Sequence, residues 1–148
     1  MSESTNKMAQ AAGIYDKMTP GQQAEVRRGA LSRPFWEIVH HVEGSAVTDA
    51  TAKKWQALCR VIATADFASK PSFGRALSEA GLSERRFAKL LEAREEQLPR
   101  LLRSAAQQLA AAGQPANLQG AYWLLFSSSE STRIRIAQDF FQTNSDDE

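Results

Sequence analysis

The sequence predicts an all-α fold, a compact bundle of about eight or nine helices, and three observations carry that prediction. Alanine and leucine dominate the apolar residues, with 24 Ala and 13 Leu against 5 Val and 5 Ile. Unbranched side chains lose less rotamer freedom in a helix than β-branched ones. Apolar residues recur at helical spacing, most clearly at Trp55, Leu58, Cys59 and Ile62, the i, i+3, i+4, i+7 positions of one buried stripe. Finally, Ser, Thr or Asn repeatedly precedes such a stretch and Gly follows it, which is how helices start and stop.

In order, the spacing predicts a first helix from about Thr5 to Met18, interrupted by Gly13. Thr19-Pro20 supplies the N-cap and first position of a second helix that ends near Gly29. Ser32-Arg33-Pro34 opens a third, with Phe35, Ile38, Val39 and Val42 on one side and Gly44 as its stop. The fourth, about Asp49 to Ala65, is the clearest, and a loop through Ser69-Lys70-Pro71 follows it. Ser72 caps a short helix through Ala80 that Gly81 ends, and Ser83 caps the next, which buries Phe87, Leu90 and Leu91. A longer helix runs from about Leu98 to Ala112, with Pro99 in its first turn and Gly113-Gln114-Pro115 as its stop. Asn117 caps a helix containing Tyr122, Trp123, Leu125 and Phe126, and the last begins near Ser129 or Glu130 and passes Phe140 and Phe141.

With 148 residues, 43% of them hydrophobic, the chain reads as a single domain over 1–148 with flexible ends at about 1–6 and 143–148. Two small lobes divided near 66–71 or 113–116 remain open. No apolar run approaches the roughly 18 residues of a membrane span, and Met1 to Lys7 holds no apolar signal core. The expected location is therefore cytoplasmic, with no membrane partner. A lone Cys59 forbids an intramolecular disulfide and a cysteine zinc site. His40 and His41 are adjacent and so point about 100° apart on a helix, not as the i, i+4 pair a metal prefers. The phosphate-loop, HExxH, GxSxG and CxxC templates are all missing from the sequence. Asp139 has no partner carboxylate or histidine at a telling spacing. The expectation is a non-enzymatic protein with no cofactor and no metal.

Net charge is only +1, but residues 1–26 carry −1, residues 27–103 carry +5 and residues 104–148 carry −3. A basic middle points to an anionic partner, although a solvated mixed-charge surface gives the same count. Arg85 and Arg86 are the sharpest clue. With Ser83 as N-cap they fall in the first turn of a helix, where the dipole is positive and acidic residues are preferred, and Arg86 takes the position at which Glu would complete a capping box. Arg85 and Lys89 are also a like-charge i, i+4 pair. Guanidiniums beside unpaired N–H groups make a natural phosphate site, unless Glu84, Glu92 or a neighbouring helix neutralises them. Lys53 and Arg60 share the outward face of the fourth helix, about 10 Å apart, a reach that can follow a nucleic-acid backbone. Arg27 and Arg28 sit near a helix C-terminus, where cations are favoured in any case. Arg75 is equally a structural partner for Glu79. Trp36, Trp55, Trp123 and Phe126 fall at apolar positions that favour core packing over base stacking.

The segment Phe73-Gly74-Arg75-Ala76-Leu77-Ser78-Glu79-Ala80-Gly81, followed by Ser83-Glu84-Arg85-Arg86-Phe87 and Leu90-Leu91, resembles the GRAL…G…ERR…L segment of the CRISPR-associated CasB family, the small subunit of the type I-E Cascade complex. Val26-Arg27-Arg28, the Trp55 to Arg60 helix, Gln97 to Leu102 and Ala137-Gln138-Asp139-Phe140 fall in the family's order, so the likeness runs from about residue 10 to 142. The resemblance implies an all-helical, non-enzymatic subunit that stacks with a second copy of itself and contacts other Cascade subunits, the guide RNA and the target DNA strands, stabilising the R-loop. It places basic family positions at Arg27, Arg28, Lys53, Arg60, Arg75, Arg85, Arg86 and Arg100. Glu92 and Pro99 depart from the pattern by standing where basic residues are expected, with Arg94 or Arg103 near enough to compensate. Two other readings remain: a helix-turn-helix DNA-binding regulator built on Ser72 to Leu91, and a helical protein–protein adaptor without a nucleic-acid role.

Overall fold

A computed structural model describes residues 6–45, 47–127 and 129–146, the last four through their backbone alone. Along these residues run α1 (Lys7–Asp16), α2 (Pro20–Arg28), α3 (Arg33–Glu43), α4 (Asp49–Thr64), β1 (Phe67–Ser72), α5 (Phe73–Glu79), α6 (Glu84–Leu91), α7 (Leu98–Ala111), β2 (Ala116–Asn117), α8 (Gln119–Phe126) and α9 (Glu130–Asp146). The all-α expectation is met, with one small addition in the strand pair. Of the ends read as flexible, 1–5 and 147–148 lie outside the described residues. Asn6 is the N-cap of α1, and the backbone of 143–146 continues α9.

Three of the predicted caps form as expected. Thr19 and Gln22 close a reciprocal capping box on α2, Ser72 accepts from the Arg75 N–H, and Ser83 accepts from the Arg86 N–H. Each satisfies a backbone donor that the first turn leaves unpaired. Ser32 holds the N-cap position of α3 but makes no capping bond. At α8 the cap position is Leu118, one residue beyond the expected Asn117, whose Oδ1 nevertheless accepts the Gln119 N–H at 3.1 Å.

Gly13 does not interrupt α1. It is exposed, and its cost of about 1 kcal/mol relative to alanine is offset by burial of Met8, Ala11, Ala12 and Tyr15 on the opposite side. The stretch expected to be a loop at Ser69-Lys70-Pro71 belongs instead to β1, which pairs in parallel with β2 through irregular register. The Ala116 N–H donates to the Asp66 carbonyl at 3.1 Å, and Asn117 Nδ2 donates to the Ser69 carbonyl at 3.4 Å. The two segments at which the sequence leaves room for a lobe boundary are thus hydrogen-bonded to each other, and one contiguous set of buried side chains extends from Met8 to Phe140.

α4 is central, packing on α1, α2, α7 and α8, and it buries Trp55, Leu58, Cys59 and Ile62 as the stripe requires. α5 is nearly enclosed: Phe73, Gly74, Ala76 and Leu77 are buried, and its chief neighbour is α9. A methyl group at Gly74 would collide with the Ile136 carbonyl of α9, so glycine is what allows the two backbones to approach. Phe87 of α6 stacks on Phe140 of α9, centroids 3.9 Å apart and planes 7° from parallel. Trp55 is fully buried, whereas Trp123, expected at a core position, is 39% exposed because it lies on the outer side of α8.

Candidate nucleic-acid interface

The structure distributes the predicted basic residues over two neighbouring faces, with Arg75 apart from both. The first face is the end of α2 against α4. Arg27 and Arg28 close α2 and are exposed, and Arg27 Nη2 donates to the Tyr15 hydroxyl at 3.4 Å. Lys53 is exposed on α4. Arg60, two turns further along the same helix, is half-buried and donates from Nη2 to the Arg28 carbonyl at 2.8 Å. Lys53, Lys54 and Arg60 line a hollow with an apolar floor of Ala50, Ala57, Pro99 and Leu125, and Glu95 and Glu96 of the α6–α7 turn also line it.

The second face is α6 against α7. Arg85 and Arg86 stand in the first turn of α6, both exposed. Arg86 Nη2 donates to Ser104 Oγ on α7 at 2.9 Å, which fixes one edge of the guanidinium without neutralising it. One groove on this face is lined by Arg86, Lys89, Leu101 and Ser104. The adjoining groove is lined by Lys89, Glu92, Gln97 and Arg100. Lys89 therefore bridges Arg86 and Arg100. Lys89 stands out in sequence only as a like-charge neighbour of Arg85, although its i, i+3 spacing from Arg86 already places the two on one side of the helix.

Glu92, one of the two departures from the family pattern, is exposed as the C-cap of α6, and Pro99, the other, stands in the first turn of α7. Arg103 is exposed three residues beyond Arg100, on the same side of α7.

Arg75 differs from the rest. Its Nε pairs with Glu79 Oε2 at 3.2 Å, and it lines a separate hollow with Lys70, Glu79, Asp139 and Gln142. Among the described residues, Arg27, Arg28, Lys53, Arg85, Arg86 and Arg100 make no ion pair, so neither Glu84 nor Glu92 neutralises the α6 start. An exposed guanidinium with no internal carboxylate keeps its donors for an oxyanion, and several along a surface suit a polyanion. The donors on both faces are long, flexible side chains of the kind that contact phosphates.

Among the described residues no group of three His, Cys, Asp or Glu side chains could hold a metal ion, and no helix is long and apolar enough to cross a membrane.

Residues 22–141 match the family model described as CRISPR-associated protein Cse2. The chain belongs to that family. Cse2 and CasB name the same type I-E subunit, so the sequence resemblance is borne out. Among solved structures, the chain is similar to CasB of M. ruber, with a TM-score of 0.74 at 18% identity over 96% of each chain. It is also similar to a chain in the E. coli Cascade complex bound to a PAM-containing double-stranded DNA target, with a TM-score of 0.69 at 18% identity over 92% of this chain and 95% of that one. At such identity the likeness is one of fold. No curated protein sequence matches.

Proposed function

We propose that this Cse2-family chain is a non-enzymatic, nucleic-acid-binding subunit of a CRISPR RNA-guided surveillance ribonucleoprotein, beside other Cascade subunits, a guide RNA, target DNA strands and a second copy of itself. Its task is to stabilise the R-loop through phosphate contacts. Family membership supports the setting, and the M. ruber and E. coli relatives share the fold.

The observation that carries the phosphate reading is the set of exposed cations without an internal carboxylate: Arg27, Arg28 and Lys53 on one face, Arg85, Arg86 and Arg100 on the next. Arg60 and Arg75 belong to the same proposed set but are engaged by the protein itself. Exchange of a DNA duplex for an RNA–DNA heteroduplex is nearly balanced in free energy, so sequence-independent contacts to the strands can tip it. Base pairing supplies the sequence, and the protein needs no base-edge code.

The test is charge reversal in the assembled complex. Arg85→Glu with Arg86→Glu, or Lys53→Glu, should leave assembly intact and shorten target-DNA retention about tenfold or more, with a shallower salt dependence. Unchanged retention with intact assembly would make the chain a protein–protein adaptor. A footprint of the isolated chain on a defined palindrome would make it a helix-turn-helix regulator.

A further inference from the structure

We infer that Arg60 is a positioning residue, a latch from α4 that holds the last turn of α2 and thereby aims Arg27 and Arg28, and this rests on the phosphate-binding reading above. Two α4 side chains one turn apart, Gln56 and Arg60, grip consecutive carbonyls at the end of α2. Gln56 Nε2 donates to the Gly29 carbonyl at 2.7 Å, and Arg60 Nη2 donates to the Arg28 carbonyl at 2.8 Å. Helix C-termini leave carbonyls without intrahelical donors and carry partial negative charge, so a guanidinium there is both a hydrogen-bond partner and a favourable charge.

Gly29 shows how close the contact is. It turns the chain at φ +76°, and a methyl group on it would run into the Nε, Cζ and Nη2 atoms of Arg60. The guanidinium lies against the glycine, and Arg60 Nε is buried without a hydrogen-bond partner. An edge that is covered and a second nitrogen already donating to a backbone carbonyl leave this arginine poorly placed to grip a phosphate. Arg27 and Arg28 on the turn it secures are exposed, and Tyr15 holds Arg27 from the other side.

A direct phosphate contact and a latch make different predictions for the full chain binding a single-stranded oligonucleotide in a salt series. Arg60→Lys keeps the charge but loses the planar group that lies on Gly29. A latch requires it to weaken binding within about twofold of Arg60→Ala, whereas a direct contact to one phosphate should survive the lysine nearly intact. The slope of log affinity against log salt should fall by more than the ~0.7 of a single lost contact in Arg60→Ala, because Arg27 and Arg28 lose their aim as well. In a background carrying Arg27→Ala and Arg28→Ala, adding Arg60→Ala should cost less than about twofold.

Effects that multiply in that background, or a lysine variant that binds like the parent, overturn the latch while leaving the phosphate reading in place. If Arg27→Ala with Arg28→Ala leaves binding unchanged, the phosphate reading fails at this face and the latch fails with it. Should Arg60→Ala not fold, Arg60→Lys carries the test alone, and it must weaken binding for the latch to stand.

Discussion

Glu43 links three elements through one carboxylate. Its Oε1 accepts from Lys7 Nζ at 2.8 Å and its Oε2 accepts from Trp55 Nε1 at 2.8 Å, tying α1 and α4 to the end of α3. No spacing in the sequence announces this, because its members lie 36 and 12 residues from Glu43 and meet only when the helices pack. The caps at Thr19, Ser72 and Ser83, by contrast, are legible because donor and acceptor lie three residues apart. Glu43→Gln should lower stability by about 1–3 kcal/mol in urea unfolding, since Lys7 then loses its countercharge in a half-buried site. For Lys7, desolvation by burial lowers the pKa, but the Glu43 and Tyr122 interactions outweigh it, so the net shift is upward from 10.5. A cation with a raised folded pKa contributes its full stability below 10.5 and loses it as pH rises through the higher folded value. Cys59 acts earlier. Burial pushes its thiol up from 9.0 to about 12, so the fold resists forming the thiolate, and stability present below pH 9.0 declines as pH climbs toward 12. The unfolding midpoint should therefore fall above pH 9.0, and Cys59→Ala should flatten the first part of that decline, between 9.0 and 10.5, where the Lys7 contribution is still in full.

At the scale of elements, the helices with strong stripes and sharp caps were readable, and what escaped was decided by contacts between distant segments. β1 carries Lys70-Pro71 and no alternation of apolar and polar residues, and it becomes a strand only because β2 lies alongside it. Helix α5 shows the same dependence from the other side. Its seven residues are too few to hold a helix alone, and its stability comes from enclosure by α9 and α8. Gly74 faces the Ile136 carbonyl, and Gly120 of α8 faces the Phe73 side chain, each too closely for a methyl group. Gly74→Ala should consequently destabilise the protein by about 1–3 kcal/mol despite its better helix propensity. Gly13→Ala, in open space on α1, should be neutral or stabilising by up to about 1 kcal/mol. Thermal unfolding of the two variants side by side checks both signs.

Over the whole molecule, charge placement was partly legible. The +5 of residues 27–103, the misplaced arginines of α6 and the family resemblance together named the basic residues. What one dimension could not carry was which cations the fold would occupy. Arg60 looks like the others in sequence, yet it is hydrogen-bonded to the Arg28 carbonyl 32 residues away, whereas the Arg75–Glu79 ion pair, only four residues apart, was one of the two readings the sequence offered. Nor could the sequence show that the acidic turn Glu95-Glu96 comes to line the hollow of Lys53 and Arg60. If phosphate binding draws on exposed, unpaired charge, the salt response should sort the residues by their engagement rather than by their charge. Single Arg85→Ala, Lys53→Ala or Arg100→Ala variants should each lower the salt slope on a single strand by about 0.7, the value for one lost phosphate contact. Arg75→Ala should lower it by less, because part of what phosphate would gain from Arg75 is already taken up by Glu79. Equal slope changes at all four positions, measured on the same oligonucleotide, would mean that the Glu79 pair is too weak and too exposed to matter, as surface ion pairs often are.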